Sequence, residues 1–189
     1  MQSNKKKIIF IKGDLCTKHA RVKNFIKYFN DRDYKLKFYC WLRNPESTDR
    51  SNLENYILKG GGYNNKFLIF YYPLWFFKVL ITLIFERKKN KNAIFFAIDF
   101  DTALPVYLFS LFSSNCEFIY DVHDDFDLRY KFPSIVNKIL IFLEEKIRSK
   151  SLTTIHVDKN RVRSFDKNYS IIYNSHPDFF NQTTLLLSV

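Results

Sequence analysis

Two short apolar runs that lead into polar side chains constrain the fold of this chain more than any other feature. Residues 93–98 read Ala-Ile-Phe-Phe-Ala-Ile and are followed by Asp99 and Asp101. The strand-like residues 117–121 lead in the same way into His123. Runs with little polar alternation are typical of strands that are buried on both faces of a parallel sheet. The sequence therefore predicts such a sheet, with carboxylates and an imidazole at the ends of two strands.

Strand-like and helix-like segments alternate along the whole chain. Strands are predicted at residues 7–12, 35–42, 67–70, 93–98, 117–121, 152–157 and 169–173, and helices at 20–30, 53–58, 74–88, 102–113, 132–149 and 158–165. This alternation predicts an α/β fold, a single Rossmann-like, doubly wound and mostly parallel sheet with helices on both faces. The domain is expected to span residues 1–178, with residues 179–189 as a tail.

The chain is strongly basic, with a formal net charge of +11. Basic domains commonly bind nucleic acid, anionic lipid headgroups or phosphorylated substrates. The Lys and Arg residues are dispersed apart from two short clusters at residues 5–7 and 87–89, and no RNA-binding aromatic signature or zinc-finger spacing accompanies them. We therefore expect no nucleic acid partner. Simple solvation and an affinity for phosphate or membrane surfaces stay open.

Residues 67–85 are long and apolar enough to raise the question of a membrane span, since their single charged residue is Lys78. Pro73 divides the segment, which predicts a buried strand followed by a helix over residues 74–88. Attachment at a membrane interface and a true span are the alternatives. The N-terminus lacks the long apolar region of a signal peptide. The expected location is therefore the cytoplasm, with peripheral contact to the inner face of the cytoplasmic membrane as an option.

The three cysteines predict reduced thiols. Cys16, Cys40 and Cys116 are far apart in the sequence, odd in number, and form no CxxC pair. Disulfide scaffolds and structural zinc sites usually show paired cysteines at short spacings. The sequence thus argues against both, and no metal is expected.

Common cofactor and nucleophile motifs are absent, so the polar residues at strand ends carry the functional argument. The chain has no GxGxxG, P-loop, GxSxG or HExxH motif. His123 could exchange protons near neutral pH or donate to a phosphate or sugar hydroxyl; a loop histidine that caps a turn is the alternative. A metal site formed by Asp121, His123 and Asp125 is a weaker hypothesis, because closely spaced loop acids are usually solvated. Asp99 could bind ligand hydroxyls, and Asp101 is predicted to cap the next helix.

A second polar segment follows the first strand. Gly13 and Asp14, with Lys18, His19 and Arg21, form a loop over the N-terminus of the first helix, where an anion could bind. An ordinary turn between strand and helix would look the same.

Taken in order, five segments resemble one known family. They are AIDFDTALP at residues 97–105, IYDVHD at 119–124, LEEKI at 143–147, TTIHV at 153–157 and YNSHPD at 173–178. They follow one another as in the N-terminal, acceptor-binding domain of GT-B glycosyltransferases of the family 4 type. The likeness runs over nearly the whole chain and is strongest from residue 93 to residue 178.

The resemblance implies roles for individual residues. His123 would occupy the active-site position that faces the transferred sugar. Acceptor or donor phosphate would bind near Gly13, Asp14, Arg21, Asp99, Asp101 and Asp124. Asn174 and Asp178 would mark the crossover into a second domain. Similar enzymes use a nucleotide sugar as donor, without a further cofactor and commonly without a metal.

The implied activity is hexosyl transfer to a glycan or polyprenyl-linked acceptor in the synthesis of surface polysaccharide, such as O-antigen or capsule. In that family a second Rossmann-like domain carries the nucleotide-sugar site, and residues 179–189 offer no such domain. The chain is therefore expected to be truncated or to be completed by a second polypeptide, and its activity alone is left open. The alternatives are a non-catalytic module that binds a glycan, a lipid carrier or a partner protein, and a flavodoxin-like domain that binds a phosphorylated ligand.

Overall fold

The computed structural model describes residues 6–45, 51–62, 67–124 and 133–173. The strands are β1 (Lys7–Lys12), β2 (Lys35–Leu42), β3 (Glu54–Lys59), β4 (Ala93–Ile98), β5 (Phe118–Val122), β6 (Thr153–His156) and β7 (Tyr169–Ile171). The α-helices are α1 (Ala20–Asn30), α2 (Leu68–Lys89), α3 (Phe100–Phe112) and α4 (Ser134–Lys150), and Lys159–Arg161 forms a turn of 3₁₀-helix.

The described strands form one parallel sheet in the order β3-β2-β1-β4-β5-β6-β7. The chain moves outward from β1 to β3 and then returns to β4 on the other side of β1. This reversal places a topological switch point at the carboxyl ends of β1 and β4, the position at which open α/β sheets commonly bind their ligands. The parallel α/β prediction is confirmed.

Successive side chains of each central strand point to opposite faces of the sheet, so alternate residues pack in two separate hydrophobic cores. Ile9 and Ile11 of β1 pack in the core that includes side chains from α2, α3 and α4. Ile8 and Phe10 point to the opposite face, where α1 contributes to the core. Helices therefore cover both faces of the sheet, as predicted.

The helix predicted at residues 53–58 is wrong, because this segment is strand β3. Glu54 and Asn55 pair with Phe38 and Tyr39 of β2 in parallel register. Six residues with three aliphatic side chains are too short for periodicity to distinguish a strand from a helical turn. Pairing with the exposed edge of β2 decides the outcome.

The strand predicted at residues 67–70 is also wrong, because these residues begin α2. This helix runs unbroken through Pro73 from Leu68 to Lys89. Pro73 is only the sixth residue of the helix and removes a single backbone hydrogen bond. Burial of Trp75, Val79 and Leu83 against the sheet offsets this loss.

Candidate functional site

The end of β5 places a histidine against a buried carboxylate. The Nε2 atom of His123 is 2.9 Å from Oδ2 of Asp121, whose side chain has no exposed surface. The other oxygen of Asp121 pairs with the Arg21 guanidinium at 2.6 Å, and Arg21 is buried as well. A carboxylate acceptor fixes the proton on Nε2, so Nδ1 carries the free lone pair of the neutral ring. His123 is therefore held against Asp121 while 17% of its side chain stays exposed.

The end of β4 supplies a strained aspartate that joins two strands. Asp99 has φ 68° and ψ 160°, a region that residues with a side chain rarely adopt. Its Oδ2 accepts from the buried Lys12 ammonium at 2.8 Å, and its Oδ1 accepts from the backbone N–H of His123 at 3.2 Å. Burial opposes both charges, but the attraction between them lowers the pKa of Asp99 and raises that of Lys12. Such strain commonly marks functional sites.

Asp101 does not cap α3, contrary to the sequence prediction. Helix α3 begins at Phe100, two residues before the predicted start at residue 102. Asp99, with its positive φ, is therefore the N-cap residue, and Asp101 lies in the first turn. Burial, followed by the nearby charge of Asp99, raises the pKa of Asp101 to about 6. The Arg43 guanidinium lies 3.7 Å from the Asp101 carboxylate, and its Nε donates to the Gly13 carbonyl at 2.6 Å. A Cβ atom on Gly13 would overlap Oδ2 of Asp101, which explains the glycine.

A second imidazole lies beside the first. The His19 ring packs edge-on against that of His123, with centroids 5.4 Å apart. Burial, followed by the positive charge of Lys12 and the neighbouring His123 ring, lowers the pKa of His19 to about 4. His19 is therefore neutral at physiological pH. Its Nε2 is buried without a hydrogen-bond partner among the described residues.

The segment after β6 reaches back to the same edge. Nη1 of Arg161 donates to the His123 carbonyl and lies 3.3 Å from the Asp124 carboxylate. Nε of Arg161 lies 3.4 Å from Asp158. Because this guanidinium is about one third exposed, it adds positive charge at the rim beside His123.

The fold thus brings together most of the site residues expected from the sequence. Gly13, Arg21, Asp99, Asp101, His123 and Asp124 all lie along the carboxyl ends of β1, β4 and β5. Asp14, in the β1–α1 loop, accepts a hydrogen bond from the Leu15 N–H at 2.8 Å. Asp125, Asn174 and Asp178 lie outside the described residues.

Sequence reasoning missed three cations of this edge, which are Lys12, Arg43 and Arg161. The sequence offered one signal for Lys12, which is its position at the end of the apolar run of residues 8–11. Arg43 follows β2 directly, yet only the β1–β2 pairing shows that it reaches Gly13. Arg161 comes from a loop whose path could not be read from residue spacing.

Together these groups can recognise hydroxyl and phosphate groups. Carboxylates of Asp99 and Asp101 accept from hydroxyls, while Lys12, Arg43 and Arg161 supply positive charge within the same edge. A lysine-rich cleft of about 560 Å³ also exists, lined by residues such as Lys6, Lys89 and Lys91. It lies at the amino ends of β1 and β4, away from the imidazole and carboxylate groups.

Comparisons with known proteins identify the fold. No known family model matches the chain, and no curated protein matches it by sequence. Sucrose-phosphate synthase from Thermosynechococcus elongatus superposes with a TM-score of 0.63 at 12% identity, over 89% of this chain and 48% of that one. A UDP-N-acetylglucosamine 2-epimerase gives 0.52 at 10% identity, over 89% and 48%. The lipopolysaccharide outer core galactosyltransferase WaaB gives 0.50 at 14% identity, over 88% and 45%.

The fold is that of one Rossmann-like half of a GT-B protein. The chain spans about half the length of these solved structures. Identities of 10–14% establish the architecture and leave the substrate to the chemistry of the site.

Proposed function

We propose that this chain is the acceptor-side half of a glycosyltransferase of the family 4 type, acting in surface polysaccharide synthesis. The observation that carries the proposal is the Arg21–Asp121–His123 relay at the end of β5, one strand from the switch point of the sheet. A buried carboxylate that orients an imidazole beside a crevice is the arrangement required for proton transfer to or from a bound hydroxyl. Two of the superposed proteins, the synthase and WaaB, are named as enzymes of sugar transfer or sugar-phosphate synthesis.

Each group at the edge has a role in this proposal. His123 faces the transferred sugar, with Nδ1 as the atom that exchanges a proton or a hydrogen bond. Asp99 and Asp101 accept hydrogen bonds from acceptor hydroxyls. Lys12, Arg43 and Arg161 offset the negative charge of the donor phosphates as the leaving group departs. A metal ion and an organic cofactor are not required by these roles.

The nucleotide-sugar site is placed outside residues 1–189 in this proposal. In a two-domain architecture the donor lies in the crevice between halves, and the chain spans about half of the superposed proteins. A second Rossmann-like unit, on the same or another polypeptide, would supply the nucleotide contacts. Hexose identity, linkage and acceptor are then set jointly by the two units.

The second candidate is a non-catalytic module that holds a glycan, a lipid carrier or a partner transferase. The observation in its favour is that Asp99 and Asp101 are already engaged by Lys12 and Arg43. Such groups could serve binding alone. A glycan-binding module would bind the acceptor without any dependence of transfer on His123, which separates the two candidates.

A membrane surface is the proposed location of the acceptor. Within the described residues, no helix combines the length and apolarity needed to cross a bilayer. The layer formed by α2, α3 and α4 nevertheless exposes large apolar side chains on the side that faces away from the sheet. We name as the outer helix face the exposed residues Phe70, Leu74, Phe77, Ile81, Ile84 and Phe85 of α2 and Ile135, Val136, Ile139 and Phe142 of α4.

In α2 the outer helix face lies on a helix that is apolar on both sides, one side against the sheet and the other exposed. From Phe70 to Ile84 its residues in α2 follow one another at steps of three or four, so they form a stripe opposite the buried Trp75, Val79 and Leu83. The last turn of α2 carries Arg87, Lys88 and Lys89. Apolar area flanked by positive charge favours adsorption to anionic lipid. We therefore propose peripheral attachment through α2, which would hold the site near a lipid-linked acceptor.

Binding at the predicted edge can be tested by NMR of the histidine side chains. We expect that titration with a methyl hexoside, which presents acceptor hydroxyls without the nucleotide, shifts the imidazole resonances of His123 and His19. His156 should stay unchanged, because it is buried beside Asp166 at another strand end. Equal shifts at His156, or no shift with the hexoside, would contradict the proposal.

A further inference from the structure

Two thiols and one carboxylate form a buried cluster beside the candidate site. Cys16 lies in the β1–α1 loop, Cys40 in β2, and Glu54 at the start of β3. One metal-binding atom from each side chain lies within 4.8 Å of the other two. All three residues are buried. Spacing along the sequence argued against a cysteine pair, whereas the pairing of β1 with β2 creates one.

The two sulfur atoms are positioned to share a cation. Sγ of Cys40 lies 2.9 Å from Sγ of Cys16, and both thiols are free. Burial and the neighbouring Cys16 raise the pKa of the Cys40 thiol. Tetrahedral coordination with metal–sulfur bonds of about 2.3 Å separates two thiolates by roughly 3.8 Å. The sulfurs therefore need to part by only about 1 Å, within the reach of small side-chain rotations.

Glu54 points to a ligand independently of the thiols. Its side chain is buried, with 7% of the residue exposed. Oε1 accepts hydrogen bonds from the backbone N–H of Thr17 at 2.6 Å and from the Thr17 hydroxyl at 3.0 Å. Oε2 is buried and has no hydrogen-bond partner in the described part of the chain, which also provides no Lys or Arg ion pair to it. A buried carboxylate oxygen without a partner is unfavourable unless a cation joins it.

We propose that Cys16, Cys40 and Glu54 bind one thiophilic divalent cation of the zinc type. The two Sγ atoms and Oε2 of Glu54 provide three ligands, and a water molecule completes a tetrahedron. Two metal–sulfur bonds and one metal–oxygen bond form, and the two thiol protons leave to solvent, so the step needs no oxidant. Thr17 holds the carboxylate from the other oxygen, as the outer partners of metal ligands usually do.

The ion would hold the β1–α1 loop of the candidate site in place and would take no part in the chemistry of that site. Cys16 belongs to the same loop as Gly13 and His19, whereas Cys40 and Glu54 belong to the sheet. A shared cation would fasten this loop to β2 and β3. His19 would then be fixed beside His123.

Cobalt(II) titration tests the site on the full chain, prepared under reducing conditions and freed of metal with a chelator. We expect a thiolate-to-cobalt charge-transfer band that saturates at one equivalent and disappears on addition of zinc. Apparent affinity should rise with pH because two protons leave. Cys16→Ser and Cys40→Ser should abolish the band, and Glu54→Gln should weaken binding at least ~10-fold. Cys116→Ser is the matched control and should bind as the unmodified chain does.

Three outcomes would overturn the proposal. They are the absence of a band, a band that persists in both Cys16→Ser and Cys40→Ser, and a Cys16–Cys40 disulfide that mass spectrometry detects and whose reduction restores no cobalt binding. If the serine variants fail to fold, Glu54→Gln and Cys116→Ser decide the question by thermal unfolding. Zinc should raise the unfolding temperature of Cys116→Ser markedly and that of Glu54→Gln little. Equal increases would also contradict the site.

Discussion

At the scale of single residues, the buried Asp121 explains why His123 can be reactive. Its carboxylate contacts Arg21 on one side and the imidazole on the other, so it fixes the ring orientation. Asp99 adds a second constraint by accepting from the His123 backbone. The ring is therefore positioned by two strands at once.

We expect Asp121→Asn to destabilise the chain by about 3–5 kcal/mol, because the buried Arg21 loses its only carboxylate contact among the described residues. Urea unfolding followed by circular dichroism measures this change. Asp124→Asn is the matched control, since Asp124 is about half exposed and its pairing with Arg161 should contribute less than about 1 kcal/mol. Similar losses in the two variants would contradict the assigned burial of the Arg21–Asp121 pair.

At the scale of elements, α2 is held to the sheet by one buried acid. Glu86 accepts from Lys7 at 2.8 Å, from Lys37 at 2.6 Å and from the Tyr39 hydroxyl at 2.6 Å. Burial alone would raise the pKa of Glu86, but the hydrogen bonds from Lys37, Lys7 and Tyr39 lower it to about 2. The ionised form is thus strongly preferred in the folded chain.

A pH dependence of stability follows from this shift. The pKa of Glu86 is lower in the folded than in the unfolded chain, so its stabilisation is complete above the ordinary value of 4.5 and is lost as the pH falls toward 2. We expect Glu86→Gln to reduce the free energy of unfolding by about 2 kcal/mol at pH 7 and by progressively less between pH ~4.5 and ~2. Urea titrations across this range measure the difference. A difference that is constant with pH would show that the charge of Glu86 contributes nothing.

Adsorption of the outer helix face to lipid can be measured with vesicles. We expect Phe77→Glu to reduce co-sedimentation with anionic phosphatidylglycerol vesicles at least ~10-fold, because the side chain is 59% exposed at the centre of the α2 stripe. Leu53→Glu is the control, with 61% exposure on the connection that precedes β3. Equal binding by the two variants, or binding that is unchanged in neutral vesicles, would contradict membrane attachment through α2.

Elements were predictable from the sequence where burial and periodicity agree. The all-apolar β4 and the helically spaced α1 are examples, and both appear at the predicted positions. Prediction failed at residues 53–58 and 67–70, where a strand edge or a sheet surface decides between two conformations that the local sequence allows. Pro73 was misleading for the same reason, since its local penalty is small beside the burial of Trp75.

At the scale of the whole molecule, the strand order explains why residues far apart in sequence share one site. Lys12, Asp99 and His123 end three adjacent strands, so the sheet order alone brings them together. Strand-end positions predicted that carboxylates and imidazole would meet at one edge. The ion pairs among them depend on side-chain directions and on the strained turn at Asp99. Residue spacing in the sequence predicts neither.

We propose that this edge takes part in sugar transfer. Its most direct test incubates the purified chain with membranes of its source cells, which supply acceptors and any second unit, and with labelled UDP-hexoses. We predict incorporation above the level without added chain, lost in His123→Ala and retained in Glu117→Gln, an exposed change at the opposite end of β5. No incorporation from any UDP-hexose, or full incorporation by His123→Ala, would contradict the account.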